Sequence, residues 1–242
     1  MGASAIIPAA PVLLENIDGF EPQRIVQLRG AIHEVLRTQE SWALPIPMLP
    51  LVAGLGGWGI DRGIETSTGR LLTGSDWVET VESLTDEERQ IAEAADPAII
   101  IALLHAHAAE VAIGPLGSSE NLLLPLDLSG AATANAPLAP VDGAAEFDVE
   151  VVEALTGGAS IAADVTGAEA LGTLSTLDTG RLLELSARAE DVHSDLTVLE
   201  AGIRYLNSED ATLSAFDLVF DEPIHEVRSI CGTATWTRAA HG

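Results

Sequence analysis

The sequence predicts an α/β fold in three layers: a mostly parallel central sheet with helices on both faces and a C-terminal antiparallel hairpin. Three observations lead there. An apolar, strand-like run at 5–14 is followed at once by an amphipathic helical pattern. Further helical patterns then alternate with short apolar runs. The chain closes on two extended runs joined by a short polar link. With 242 residues, 47% of them hydrophobic, the chain can fill a core, and no composition shift divides it, so 1–242 reads as a single domain. Only 4% of the residues are aromatic, so that core must be built from Leu, Ile, Val and Ala.

The first strand, 5–14, is punctuated by Pro8 and Pro11, and Asp18-Gly19 marks the turn after it. Pro22 suits a first helical turn, and Ile25, Leu28, Ile32, Val35 and Leu36 then share one face. Residues 41–76 read as a short strand and a long glycine-rich surface excursion, broken by Pro45, Pro47 and Pro50 and carrying Gly54-Leu55-Gly56-Gly57-Trp58-Gly59. Thr85 and Glu88 form a capping box for a helix to about Ala95. Asp96-Pro97 starts another, to about Ala108. Val111 to Ile113 is a short strand, 120–143 mostly loop, and Phe147, Val151, Ala154 and Leu155 mark a helix stopped by Gly157-Gly158. After Asp178-Thr179, the residues Leu185, Ala189, Val192, Leu196, Leu199, Ile203 and Leu206 alternate by four and three, which predicts one long helix with a single apolar seam. That seam packs on the sheet or joins two copies in a homodimer. The runs 212–220 and 227–237 form the hairpin, linked through Asp221 to Glu226.

The charge excludes some partners. Thirty-seven acidic residues face eleven basic ones, all arginine, for a net charge of −26. Such a field repels phosphate backbones and anionic lipid, so neither nucleic acid nor a membrane is an expected partner. Missing lysine beside abundant alanine and glycine fits a GC-rich genome, and the acidity also fits a salt-adapted proteome. One cysteine, Cys231, rules out an intrachain disulfide and a cysteine-rich metal site. The first apolar run contains two prolines and lacks a basic leader, so the expected location is cytoplasmic.

The order of several segments resembles a known family. They are the opening strand with Pro8-Ala9-Ala10-Pro11, Gly114-x-x-Gly117-Ser118, the helix at 146–156 and Leu171 to Asp178. The helix reaching Glu200-Ala201-Gly202, Phe220-Asp221-Glu222-Pro223 and Thr233-Ala234-Thr235-Trp236 follow in the same order. Together these resemble the class III extradiol ring-cleavage dioxygenase-like superfamily, in particular its small actinobacterial branch; residues 41–95 contribute little. The resemblance implies one central sheet with helices on both faces. It also implies non-haem Fe(II) chemistry in active members, where two histidines and a glutamate hold the iron that opens catechol rings with dioxygen. In them the first strand supplies a histidine beside prolines. The matching positions here are Ala9 and Ala10, which have no lone pair to give a metal, so the standard iron site and ring cleavage are not expected.

His105 and His107 could chelate from a strand, but on a helix they point about 200° apart. His33 and His193 fall at polar helical positions and read as solvent-facing; His241 is terminal. Asp221, Glu222, His225 and Glu226 concentrate carboxylates around one imidazole, a plausible relocated metal or base site. Gly114, Gly117 and Ser118 make a tight turn without the spacing of a phosphate loop. Arg181, Arg188 and Arg204 read as partners for helix carboxylates, and Cys231 as a small buried side chain. The reading is therefore a protein that needs no cofactor and binds a small molecule in a cleft lined by Pro8, Ala9, Ala10, Pro11, Gly56, Gly57, Trp58, Gly114, Gly117 and Ser118. One alternative is an oxidoreductase using Fe(II) or another divalent metal on relocated ligands, drawn from His225, Glu222, Glu226, His105 and His107. Another is a structural or dimerisation protein.

Overall fold

The computed structural model describes residues 1–17, 21–93, 95–158 and 176–238. Asp18-Gly19, the stretch Leu171 to Ser175 and His241 lie outside the described residues. The expected α/β architecture is present: a mixed, mostly parallel central sheet, helices on both faces and an antiparallel hairpin near the C-terminus.

Strand β1 (Gly2–Pro8) lies at the sheet's centre. It pairs in parallel with β7 (Leu122–Leu126), and beyond β7 lie β2 (Ser41–Ala43) and β6 (Ala112–Gly114), all parallel. On the other side β1 pairs antiparallel with β10 (Val227–Arg238), which carries β9 (Asp217–Ile224) and β8 (Ala211–Leu213) along its outer edge. The opening strand thus begins and ends earlier than its sequence pattern suggested. Pro8 is its last residue, and Pro11 opens a 3-10 turn, Pro11–Leu13, in a position where its missing N–H is not needed.

Alternation along β1 sends Ala5, Ile7 and Ala9 to one core and Ile6 to the other. The first core is closed by α1 (Gln23–Leu36) and α4 (Pro97–Ala109), the second by α5 (Ala144–Thr156), α6 (Thr179–Ser186) and α7 (Thr197–Ser208). The predicted face of α1 is buried, and its helix starts one residue after Pro22. Asp96 caps α4 by accepting from the Ala98 N–H at 2.8 Å. Helix α4 is apolar on nearly every side, as befits a helix with the sheet beneath and another layer above. No single helix among the described residues is long and apolar enough to cross a membrane.

Four expectations are corrected. Residues 41–76 are not a surface excursion: β3 (Val52–Gly54), β4 (Arg62–Glu65) and β5 (Arg70–Thr73) form a second, antiparallel sheet, and α2 (Ser75–Ser83) follows it. The capping box was legible, however. It starts α3 (Asp86–Glu93), with the Thr85 N–H donating to Glu88 at 2.8 Å.

Segment 120–143 is not mostly loop at its start, because it contains β7. Pro125 looks wrong for a central strand, yet β2 pairs with β7 only at Leu122, so no neighbour awaits a Pro125 N–H. The single long helix after Asp178 is three pieces. A 3-10 turn at Glu190–Val192 and a left-handed His193 (φ 54°) break it, so that Asp195 can bridge to Asp127. The seam residues still share a fate: all seven are buried in the second core, so the seam is covered within the chain. Finally, the hairpin link is only His225-Glu226, both at positive φ (47° and 65°), the geometry of a two-residue primed turn. Asp221 to Ile224 belong to β9.

Helix α7 crosses β7 closely at Gly202, where a Cβ would overlap the Leu124 side chain. Gly30, mid-way along α1, faces open space. Gly202→Val is expected to cost about 1–3 kcal/mol through overpacking, whereas Gly30→Ala is expected to stabilise by about 0.4–1 kcal/mol. Urea unfolding of the two variants beside the parent checks both.

Candidate ligand-binding site

In a layered sheet the natural crevice lies beyond the carboxyl ends of neighbouring strands whose following helices go to opposite faces. Here those strands are β1, followed by α1 in the first core, and β7, followed by α5 in the second. The residues at that point are Ala9 and Asp127.

The crevice is tied shut by hydrogen bonds. The Ala9 N–H donates to Leu126 O at 3.1 Å and to Asp127 Oδ1 at 2.9 Å. Asp127 and Asp195 exchange backbone hydrogen bonds, each 2.9 Å, and the Ser194 hydroxyl donates to Asp127 O at 2.7 Å. Ala9 is buried in the first core and Ala10 is half-buried. The corner that follows is fixed as well: buried Arg29 donates to Leu13 O at 2.7 Å and pairs with Glu21 at 2.8 Å.

Burial pushes the Asp127 carboxyl up to about 7, and the negative charges of Asp195 and Asp96 push the same way against the Ala9 amide. Asp96 is raised by burial first and by Asp195 second. No pattern in the sequence marked Asp127. The one available signal was a lone carboxylate directly after the apolar run Leu122 to Leu126.

Residues 54–58 of the glycine segment line a cleft of about 560 Å³. A 3-10 turn, Gly56–Trp58, forms one lip; Trp77 and Val81 of α2 and Arg89 of α3 form other walls, with Ile100 of α4. Trp77 is buried because Gly54 and Gly63 leave room for its ring; a Cβ on either would overlap it. Of the residues expected to share one cleft, Gly56, Gly57 and Trp58 line this one, while Pro8, Ala9, Ala10, Pro11, Gly114, Gly117 and Ser118 are not among its walls. Gly114 to Ser118 form a turn at the end of β6. There the Ser118 N–H and hydroxyl both donate to Pro115 O, at 3.0 and 2.7 Å, and Gly117 takes φ 88°.

Among the described residues, no group of three or more His, Cys, Asp or Glu side chains is arranged to hold a metal ion. His105 and His107 part as helix geometry requires: the first is buried, the second exposed. Around His225, Glu222 pairs with Arg24 at 3.6 Å and Asp221 takes two hydrogen bonds from Arg228, both 2.7 Å. Arg181 and Arg188 pair with Glu150, and Arg204 with Glu200. Cys231 is fully buried, which pushes its thiol up to about 12.

His33 is not solvent-facing. Its ring meets that of His105 edge to face at 5.8 Å between α1 and α4, and the Nε2 atoms of both are buried without a hydrogen-bond partner. Burial lowers His105 to about 3, so it is neutral in the folded chain. No protein-family model matches the chain, and no curated protein matches it either.

Asp127 and His105 oppose each other in the pH dependence of stability. Asp127, raised from 3.8 to about 7, favours the fold below its unfolded value and loses that contribution as pH rises towards 7. His105, lowered from 6.5 to about 3, favours the fold above 6.5 and loses its contribution as pH falls towards 3. Asp127→Asn keeps an acceptor for Ala9 and removes the titration, so its stability relative to the parent should grow by about 1–3 kcal/mol from about pH 4 to about pH 7. His105→Leu should shift the pH of maximal stability downward. Urea midpoints across that range check both directions.

Proposed function

We propose that this chain is a small-molecule-binding protein with an extradiol-dioxygenase-like fold that lacks the standard iron centre and ring-cleavage activity. The observation that carries the reading is the state of the β1–β7 crevice. Where the resemblance calls for a metal-binding histidine, Ala9 turns its methyl into the core and its amide into a bond with Asp127. The residues at this crevice, two alanines and one hydrogen-bonded aspartate, do not supply the two-histidine, one-carboxylate iron site.

The cleft beneath Gly56, Gly57 and Trp58 supports the binding half of the proposal. It is largely apolar, of a size suited to a small organic molecule, and framed by packed elements. The net charge of −26 favours this reading over a nucleic-acid or lipid-surface partner, and a cytoplasmic location fits the same picture.

The test is iron analysis of the full chain, purified without an affinity tag, loaded with Fe(II) under anaerobic conditions and desalted. Catechol and dioxygen are then added. The expected outcome is iron well below one atom per chain and no ring-opened product. One retained iron per chain, with oxygen-dependent ring opening, contradicts the proposal.

A further inference from the structure

The arginines show what the cleft is built to receive. Eight of the eleven form ion pairs: Arg24, Arg29, Arg70, Arg181, Arg188, Arg204, Arg228 and Arg238. Among the described residues, Arg37, Arg62 and Arg89 meet only carbonyl oxygens. In a chain this acidic, an arginine with no carboxylate partner among the described residues stands out. Arg89 alone of the three lines the cleft, and its Nε is buried with no acceptor. Among the described residues its only side-chain hydrogen bond runs from Nη2 to Val81 O at 3.4 Å, near the limit for such a bond. A buried guanidinium donor left unsatisfied is costly, and the geometry a planar fork satisfies best is a carboxylate.

We propose that the cleft binds an apolar monocarboxylic acid, with the carboxylate accepting from the Arg89 guanidinium and the hydrocarbon body lying against Trp58, Val81, Leu84 and Ile100. This rests on the small-molecule reading above and gives it a ligand class. Apart from Arg89, Asp61 and Glu82, the wall is glycine, aliphatic or aromatic, which suits a largely apolar body. Asp61 and Glu82 also border the cleft, but both are exposed and stand at the rim. Arg89 is half-buried with its Nε shielded, so the cation is the less hydrated charge of the cleft and selects the anion. The rim carboxylates and the negative field slow the approach of any acid, so salt should speed binding rather than weaken it.

The test uses calorimetric titration of the full chain with three probes of one shape: 2-naphthoate, 2-naphthamide and 2-naphthylmethylammonium. Naphthoate is expected to bind about tenfold or more tightly than the amide, the fold-change a charge-assisted hydrogen bond supplies. Arg89→Gln should remove that preference and leave the amide's affinity unchanged. Gly57→Phe, which adds a ring at a residue that lines the cleft and where a Cβ meets open space, should weaken every probe that binds.

If amide or ammonium binds as well as naphthoate and Gly57→Phe blocks it, the carboxylate inference is overturned while the cleft reading stands. If no probe binds the parent chain at millimolar concentration, both are overturned. The three-probe comparison on the parent decides the ligand class even if Arg89→Gln folds poorly.

Discussion

The fold turns on the Ala9 amide. One N–H is shared between the Leu126 carbonyl and the Asp127 carboxylate, and it sits where the sheet's two central parallel strands end and their helices part. Everything near that point is referred to it. Asp127 bridges to Asp195, which sets the start of α7 by accepting from the Thr197 N–H at 2.9 Å. Beyond Ala9 the chain turns through Pro11–Leu13 under the Arg29 clamp into α1. A crevice that in other layered sheets holds a ligand is here occupied by the protein's own hydrogen bonds. A separate cleft is lined by residues of the second sheet, α2 and α3.

The charge distribution follows the same economy. Most arginines are spent against the carboxylates of an acidic surface, where each pair contributes little in water. The groups that matter energetically are the buried ones. His33 and His105 meet between α1 and α4 with both Nε2 atoms unpartnered, and Asp148 is pushed up to about 6 by burial while accepting from the Ser129 N–H at 2.8 Å. These buried titratable groups make the fold sensitive to pH in opposite directions, whereas exposed pairs such as Arg204–Glu200 are sensitive chiefly to salt.

What was legible in the sequence was local. The α4 cap at Asp96, the Thr85–Glu88 box, the stop at Gly157 (φ 66°) and the apolar face of α1 all depend on residues a few positions apart, and all stand in the structure. What was not legible depends on distant neighbours. Strands β3, β4 and β5 are three or four residues long, and their glycines look like loop until Trp77 is laid across Gly54 and Gly63. β7 was hidden by Pro125, which is tolerated only because β2 has already stopped. The broken helix kept a continuous seven-residue rhythm because its pieces bury their seam in one core, and periodicity records burial rather than continuity. For the site, Gly56, Gly57 and Trp58 were visible as a glycine-rich lip. Asp127 and Arg89 were not, since a lone carboxylate or arginine carries no signal until its surroundings are known.

The most direct measurement of the central claim is a backbone amide chemical-shift map of the full chain titrated with a mixture of small apolar acids. It asks one question: at which of the two places does a ligand arrive? Shifts centred on Gly54 to Trp58 and the Arg89 helix, with the Ala9, Ala10 and Asp127 amides unmoved, are the result this account predicts. Shifts centred on Ala9, Ala10 and Asp127 would show that the crevice opens to ligands and would contradict it.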